Sequence, residues 1–173
     1  MNGMKFLRAG TVVCMVVLGI MTCRADVASS IIHKFTKMTY GTDLTTSNEN
    51  TVGTVNGSFV YTCSSGAAFG YSAGYVIQVP KNGVVETSIV YGLRELVVYN
   101  GSNSTNVKVY LSTNGSTYGD ALTSVSSSAQ ALTATIPTGN YYVKIENKTN
   151  SAITITQIDY YRSDCNCMPY VAP

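Results

Sequence analysis

ALTATIPTGNYYVKIENKTNSAITITQIDYY, residues 131–161, is the stretch whose reading decides the fold class. Apolar and polar residues alternate through Ala131 to Ile136, again through Tyr141 to Glu146, and again through Ala152 to Tyr161. A period of two puts successive side chains on opposite faces of a pleated strand, whereas a surface helix repeats its apolar residues three and four apart. Pro137 stops the first run and Gly139-Asn140 turns the chain into the second. The spacing predicts three strands joined by short turns.

The same pattern extends outward from that segment. Candidate strands cover residues 31–40, 58–63, 75–79, 84–90, 93–99 and 107–112, punctuated by Pro80, Asn82-Gly83, Asn100-Gly101 and Asn114-Gly115. Asn-Gly is a hairpin signal because both central residues of a type I′ turn need φ > 0. Eight or nine strands follow one another with no helical crossover of the length that parallel pairing needs, so the pairs are antiparallel. The abundance of Thr, Val, Ile and Tyr, with charged residues only 12% of the chain, agrees with half-buried pleated surfaces. We expect an all-β fold, an antiparallel β-sandwich of jelly-roll type.

Residues 1–25 read as a leader rather than as part of that sandwich. Lys5 and Arg8 precede an apolar run from Thr11 to Met21, and Cys23-Arg24-Ala25 places small residues before a cut. The run is shorter than the roughly 20 residues of a membrane-spanning helix. A secretory signal cleaved after Ala25 is expected, with lipidation at Cys23 as the secondary reading. The expected organisation is therefore a signal peptide at 1–25, a sandwich domain at 26–164 and a C-terminal tail at 165–173. The product would be secreted, periplasmic or held at the cell surface, with no transmembrane span.

Without the leader, eight basic residues face nine acidic ones, and no run of Lys or Arg survives. That charge pattern argues against a nucleic-acid partner. The mature chain keeps Cys63, Cys165 and Cys167. In an oxidising compartment Cys63 is expected to pair with Cys165 or Cys167, leaving one thiol over. Zinc wants four ligands, and His33 with these cysteines forms no recognisable set, so no metal or cofactor is expected.

Gly70-Tyr71-Ser72-Ala73-Gly74 matches the G-x-S-x-G pattern of a hydrolase nucleophile elbow. That elbow needs a helix after the serine, with an acid and then a histidine later in the chain. Here a β pattern ended by Pro80 follows, and the only histidine, His33, comes earlier. A small serine hydrolase is the least favoured reading, and no pair of carboxylates stands at a spacing that suggests a glycosidase. We expect no enzyme activity.

Tyrosines offer a better candidate. In VKVYLS (107–112) and YYVKIE (141–146), Lys108 and Tyr110 share one face, and Tyr142 and Lys144 share another. In one sheet these would form a platform where rings stack on a flat sugar and lysines donate hydrogen bonds. Tyr71 and Tyr75 flank the glycine-rich turn, and Tyr118 and Asp120 follow Asn114-Gly115, which suggests a second, loop-borne site.

Residues 107–163 resemble the C-terminal half of galactose-binding-like and carbohydrate-binding-module-like jelly-roll domains of secreted bacterial proteins. The resemblance rests on Ser112 to Gly115 between two strands, on PTGNYYVKI (137–145), and on the Ile158-Asp159 pair in the closing strand. It implies a jelly-roll fold and a non-catalytic binding role, with a glycan or polysaccharide as ligand. The rival reading is a structural or adhesion protein that contacts a protein partner at the cell surface.

Overall fold

The computed structural model describes residues 12–16, 19–23, 28–71, 74–100, 106–123, 125–128 and 131–163. Strands run in the order β1 (Val12–Val16), β2 (Gly19–Cys23), β3 (Ala28–Lys34), β4 (Leu44–Ser47), β5 (Val52–Val55), β6 (Phe59–Ser64) and β7 (Ala68–Tyr71). They continue with β8 (Tyr75–Val79), β9 (Val84–Thr87), β10 (Val90–Asn100), β11 (Val107–Ser112), β12 (Val125–Ser128), β13 (Ala131–Asn147) and β14 (Ile153–Ser163). A single 3₁₀ turn, Phe35–Lys37, is the only helical element among the described residues. Every strand pair is antiparallel, so the expected all-β antiparallel fold class is what forms.

β13 organises the molecule. Its first half pairs β10 and β12, and its second half pairs β11 and β9. One long strand thus passes from one sheet to the other, as corner strands do in sandwiches. Sheet I contains β12, the first half of β13, β10, β14, β8 and β7, with β3 alongside the far end of β14. Sheet II contains β4, β5, β6, β9, the second half of β13, and β11. The hairpin expected at Pro137 to Asn140 is not there. The ladder to β10 instead shifts register between Glu95↔Thr135, Leu93↔Gly139 and Val90↔Tyr141. Proline has no N–H for the ladder, and a bulge is where a sheet tolerates that loss.

Alternation sets what each strand buries. Val107, Val109, Val143 and Ile145 point inward from sheet II, while Leu96, Val98, Ile158 and Tyr160 point inward from sheet I. Burial of a Leu, Ile or Phe side chain stabilises by about 1.5–3 kcal/mol, so this two-sided core holds the sheets together. Tyr61 and Tyr160 carry hydroxyls into it and bond to each other at 2.9 Å. His33 completes the chain, its Nδ1 lying 2.6 Å from the Tyr61 hydroxyl. Burial pushes the His33 imidazole down to about 4.

β1 and β2 form their own two-stranded sheet within the segment read as a leader. No helix among the described residues is long and apolar enough to cross a membrane. Cys63 is a free, buried thiol facing the core, pushed up to about 12 by burial. Its expected partners Cys165 and Cys167 lie outside the described residues, as does Ser72.

Candidate ligand-binding surfaces

The structure brings the tyrosines and lysines of β11 and β13 onto one outer face of sheet II. Lys108 lies opposite Glu146, Tyr110 opposite Lys144, and Ser112 opposite Tyr142. On the other flank Lys144 faces Glu86 of β9. The loop after β11 adds Tyr118, whose ring centroid is 4.7 Å from the Lys144 ammonium, while that of Tyr110 is 4.3 Å away. The cation is held against the negative faces of two rings.

The surrounding groups are tied in as well. The Tyr110 hydroxyl donates to Glu146 at 3.0 Å, and Lys148 pairs with Glu146 at 2.6 Å. Burial works against the charged Glu146 carboxylate, but hydrogen bonds from Lys148 and Tyr110 and the lysine charges hold it below its ordinary range. Burial, the charge of Glu86 and a hydrogen bond to it push the Tyr118 phenol up to about 12. Tyr142 lies under the loop: a β-carbon on Gly115 would meet its ring at 3.2 Å. Gly115 also has φ +74, so glycine serves both the turn and the contact. Asn114 Oδ1 caps that turn by accepting from the Ser116 and Thr117 amides. These rings and lysines therefore engage one another.

Tyr71 and Tyr75 form a second group, at the β7–β8 end of sheet I. They pair directly across the hairpin, with rings edge to face at 5.5 Å. Tyr40, which sequence reasoning missed, stacks on Tyr75 at 5.3 Å with 22° between planes. A tight turn presents it: Asp43 accepts the Thr39 amide, and the Gly41 amide donates to the Leu44 carbonyl. Gly74, with φ +123, keeps the hairpin close to the Thr36 backbone beneath. Tyr71 is 75% exposed and Tyr40 53% exposed. Hydroxyl and amide groups rim the rings: Tyr40 Oη lies 3.4 Å from Thr46 Oγ1, and Thr46 donates to Asn50 Oδ1 at 2.8 Å. Gln78 lies exposed beside Gly70 on the other face of this hairpin, away from Tyr71 and Tyr75.

The expected loop-borne site is thus divided. Tyr118 belongs to the lysine cluster on sheet II, Asp120 is exposed in the loop after it, and Tyr71 and Tyr75 belong with Tyr40. His33 faces the core and is committed to Tyr61. Among the described residues no group of three or more His, Cys, Asp or Glu side chains is arranged to hold a metal ion.

No family model matches the chain, and no curated protein matches it. Among solved structures it is similar to the crystal structure of the K2 cleaved adhesin domain of Lys-gingipain. That match has 15% sequence identity and a TM-score of 0.45, over 76% of this chain and 99% of that one.

Proposed function

We propose that this chain is an exported, non-catalytic binding module that takes carbohydrate at a cell surface through Tyr40, Tyr71 and Tyr75. The observation that carries this reading is a run of three rings in contact, Tyr40 stacked on Tyr75 and Tyr71 edge to face with it, of which Tyr40 and Tyr71 are exposed. Large exposed aromatics are costly to solvate and seldom cluster without a use. A pyranose lays its C–H face on such a ring and offers its hydroxyls to a polar rim, here Thr46 and Asn50. Export rests on the leader pattern at residues 1–25.

A hydrolytic reading has less support. A serine nucleophile in GYSAG needs a histidine base, and His33 is turned into the core with its imidazole held neutral by burial.

Sedimentation with insoluble cellulose, chitin, xylan and cell-wall polysaccharide tests the proposal. The full chain should pellet with at least one of them, and Tyr71→Ala should stay in the supernatant. Retention unchanged in both Tyr71→Ala and Tyr40→Ala would overturn it.

A further inference from the structure

An Asn-Gly pair can react with itself, because the glycine amide nitrogen stands within reach of the asparagine carboxamide and no side chain on glycine shields it. Three such pairs lie wholly within the described residues: Asn56-Gly57, Asn82-Gly83 and Asn114-Gly115. The fold treats them differently. Asn114 is held on both sides of that reaction. Its carboxamide oxygen accepts from the Ser116 and Thr117 amides and from the Ser112 and Ser116 hydroxyls. The Gly115 amide is committed too, donating to Ser112 Oγ at 2.9 Å. At the second pair Gly83 is buried, and its amide donates to the Pro80 carbonyl at 2.8 Å. An N–H bonded to an acceptor is harder to deprotonate and to turn aside.

Asn56-Gly57 has none of this protection. The pair forms the exposed tip of the β5–β6 hairpin, with φ 49 and φ 70, the two left-handed residues of a type I′ turn. Among the described residues neither the Asn56 carboxamide nor the Gly57 amide has a hydrogen-bond partner. A β-carbon on Gly57 would meet nothing within 4 Å, so solvent reaches the peptide bond. One bond closes the turn, from the Ser58 amide to the Val55 carbonyl at 3.2 Å. An exposed turn held in this way opens locally at little cost, and opening lets the Gly57 nitrogen swing onto the carboxamide carbon.

We propose that Asn56 is a site of covalent self-modification in the folded protein, converting to isoaspartate and aspartate. The Gly57 nitrogen bonds to Asn56 Cγ, the Cγ–Nδ2 bond breaks, and the proton lost by Gly57 leaves with the nitrogen as ammonia. Water then opens the cyclic imide at either carbonyl, with no change of oxidation state. Opening at one carbonyl gives aspartate, and opening at the other gives isoaspartate. Isoaspartate routes the main chain through the side-chain methylene, a geometry that a type I′ turn does not accommodate. The change bears on the turn beneath Tyr40. The Asn56 amide donates to the Asp43 carbonyl at 2.8 Å, and the Asp43 carboxylate accepts from the Thr39 amide at 2.9 Å. The modification itself does not depend on carbohydrate binding.

Ageing the full chain at pH 7, both folded and in urea, with peptide mass spectrometry at intervals, tests it. In the folded chain Asn56 should convert at least tenfold faster than Asn82 and Asn114. In urea, where no fold protects any of them, the three should convert at similar rates. Isoaspartate in the aged folded chain should accept a methyl group from S-adenosylmethionine in the presence of a protein-isoaspartate methyltransferase, and Asn56→Gln should abolish that labelling. Amide NMR signals of Thr39, Asp43 and Leu44 should shift as the modified form accumulates. An Asn56 that stays intact when folded while the chain in urea converts would overturn the inference. So would conversion of Asn82 or Asn114 as fast as Asn56 in the folded chain. Unmoved signals at Thr39, Asp43 and Leu44 would overturn the link to Tyr40.

Discussion

Two groups of tyrosines on this sandwich have opposite fates. On sheet II, Tyr110 and Tyr118 close on Lys144, and Tyr142 lies beneath the Gly115 turn. At the β7–β8 end, Tyr40 and Tyr71 face solvent and each contacts Tyr75, which packs partly against the core. A ring that has a cation or a loop on its face contributes to folding, while an uncovered ring is available to a ligand. The composition of the two groups does not distinguish them; their neighbours do.

The largest effect that bears on this contrast acts on the scaffold beneath both groups. His33 titrates near 6.5 when unfolded and near 4 when folded. Above pH 6.5 it is neutral in both states and the associated stability is fully present. As pH falls from 6.5 through 4 only the unfolded state takes the proton, and about 3 kcal/mol is lost by linkage. Urea unfolding at pH 7, 5.5 and 4 should follow that course, and His33→Gln should flatten it. Binding comparisons between the two groups therefore belong above pH 6.5, where the scaffold is unaffected.

Next in size is the direct contrast. Replacing Tyr40 and Tyr71 together by Ala should weaken polysaccharide binding about a hundredfold, or roughly 2.7 kcal/mol, with little change in melting temperature. The reverse is expected on sheet II. Lys144→Met removes a cation from two rings and should cost about 1 kcal/mol of stability in urea unfolding, with polysaccharide retention unchanged. The smallest effect belongs to Lys148→Ala. It breaks an ion pair at the surface and should lower stability less than Lys144→Met does, with the difference from wild type vanishing in high salt.

Much of this architecture was legible in the sequence because alternation reports burial directly. Strands at 75–79 and 107–112 begin and end where the pattern says, and the facing of Tyr110 against Lys144 follows from it. The turn signals were less faithful. Pro137 and Gly139 mark a break in a hydrogen-bond ladder, which a hairpin and a bulge require equally; here the strand continues and changes sheets. Short strands escaped for a different reason. Leu44–Ser47, Val52–Val55 and Ala68–Tyr71 contain few apolar residues, and Gly53 reads as a breaker. Its missing side chain in fact makes room for the Phe69 ring. Nor could alternation find Tyr40 or place Tyr118, because their partners Tyr75 and Lys144 lie far along the chain and meet them only through loops.

The chain has no tryptophan and thirteen tyrosines, so the rings can be followed individually with tyrosine-selective NMR labels. Titration at pH 7 with cellohexaose, xylohexaose and mannohexaose would show which rings take a sugar. At least one of these sugars should shift the ring signals of Tyr40, Tyr71 and Tyr75, while those of Tyr110, Tyr118 and Tyr142 stay in place. Shifts confined to the lysine-bound group, or no movement of the exposed group with any of the three, would contradict sugar binding through Tyr40, Tyr71 and Tyr75.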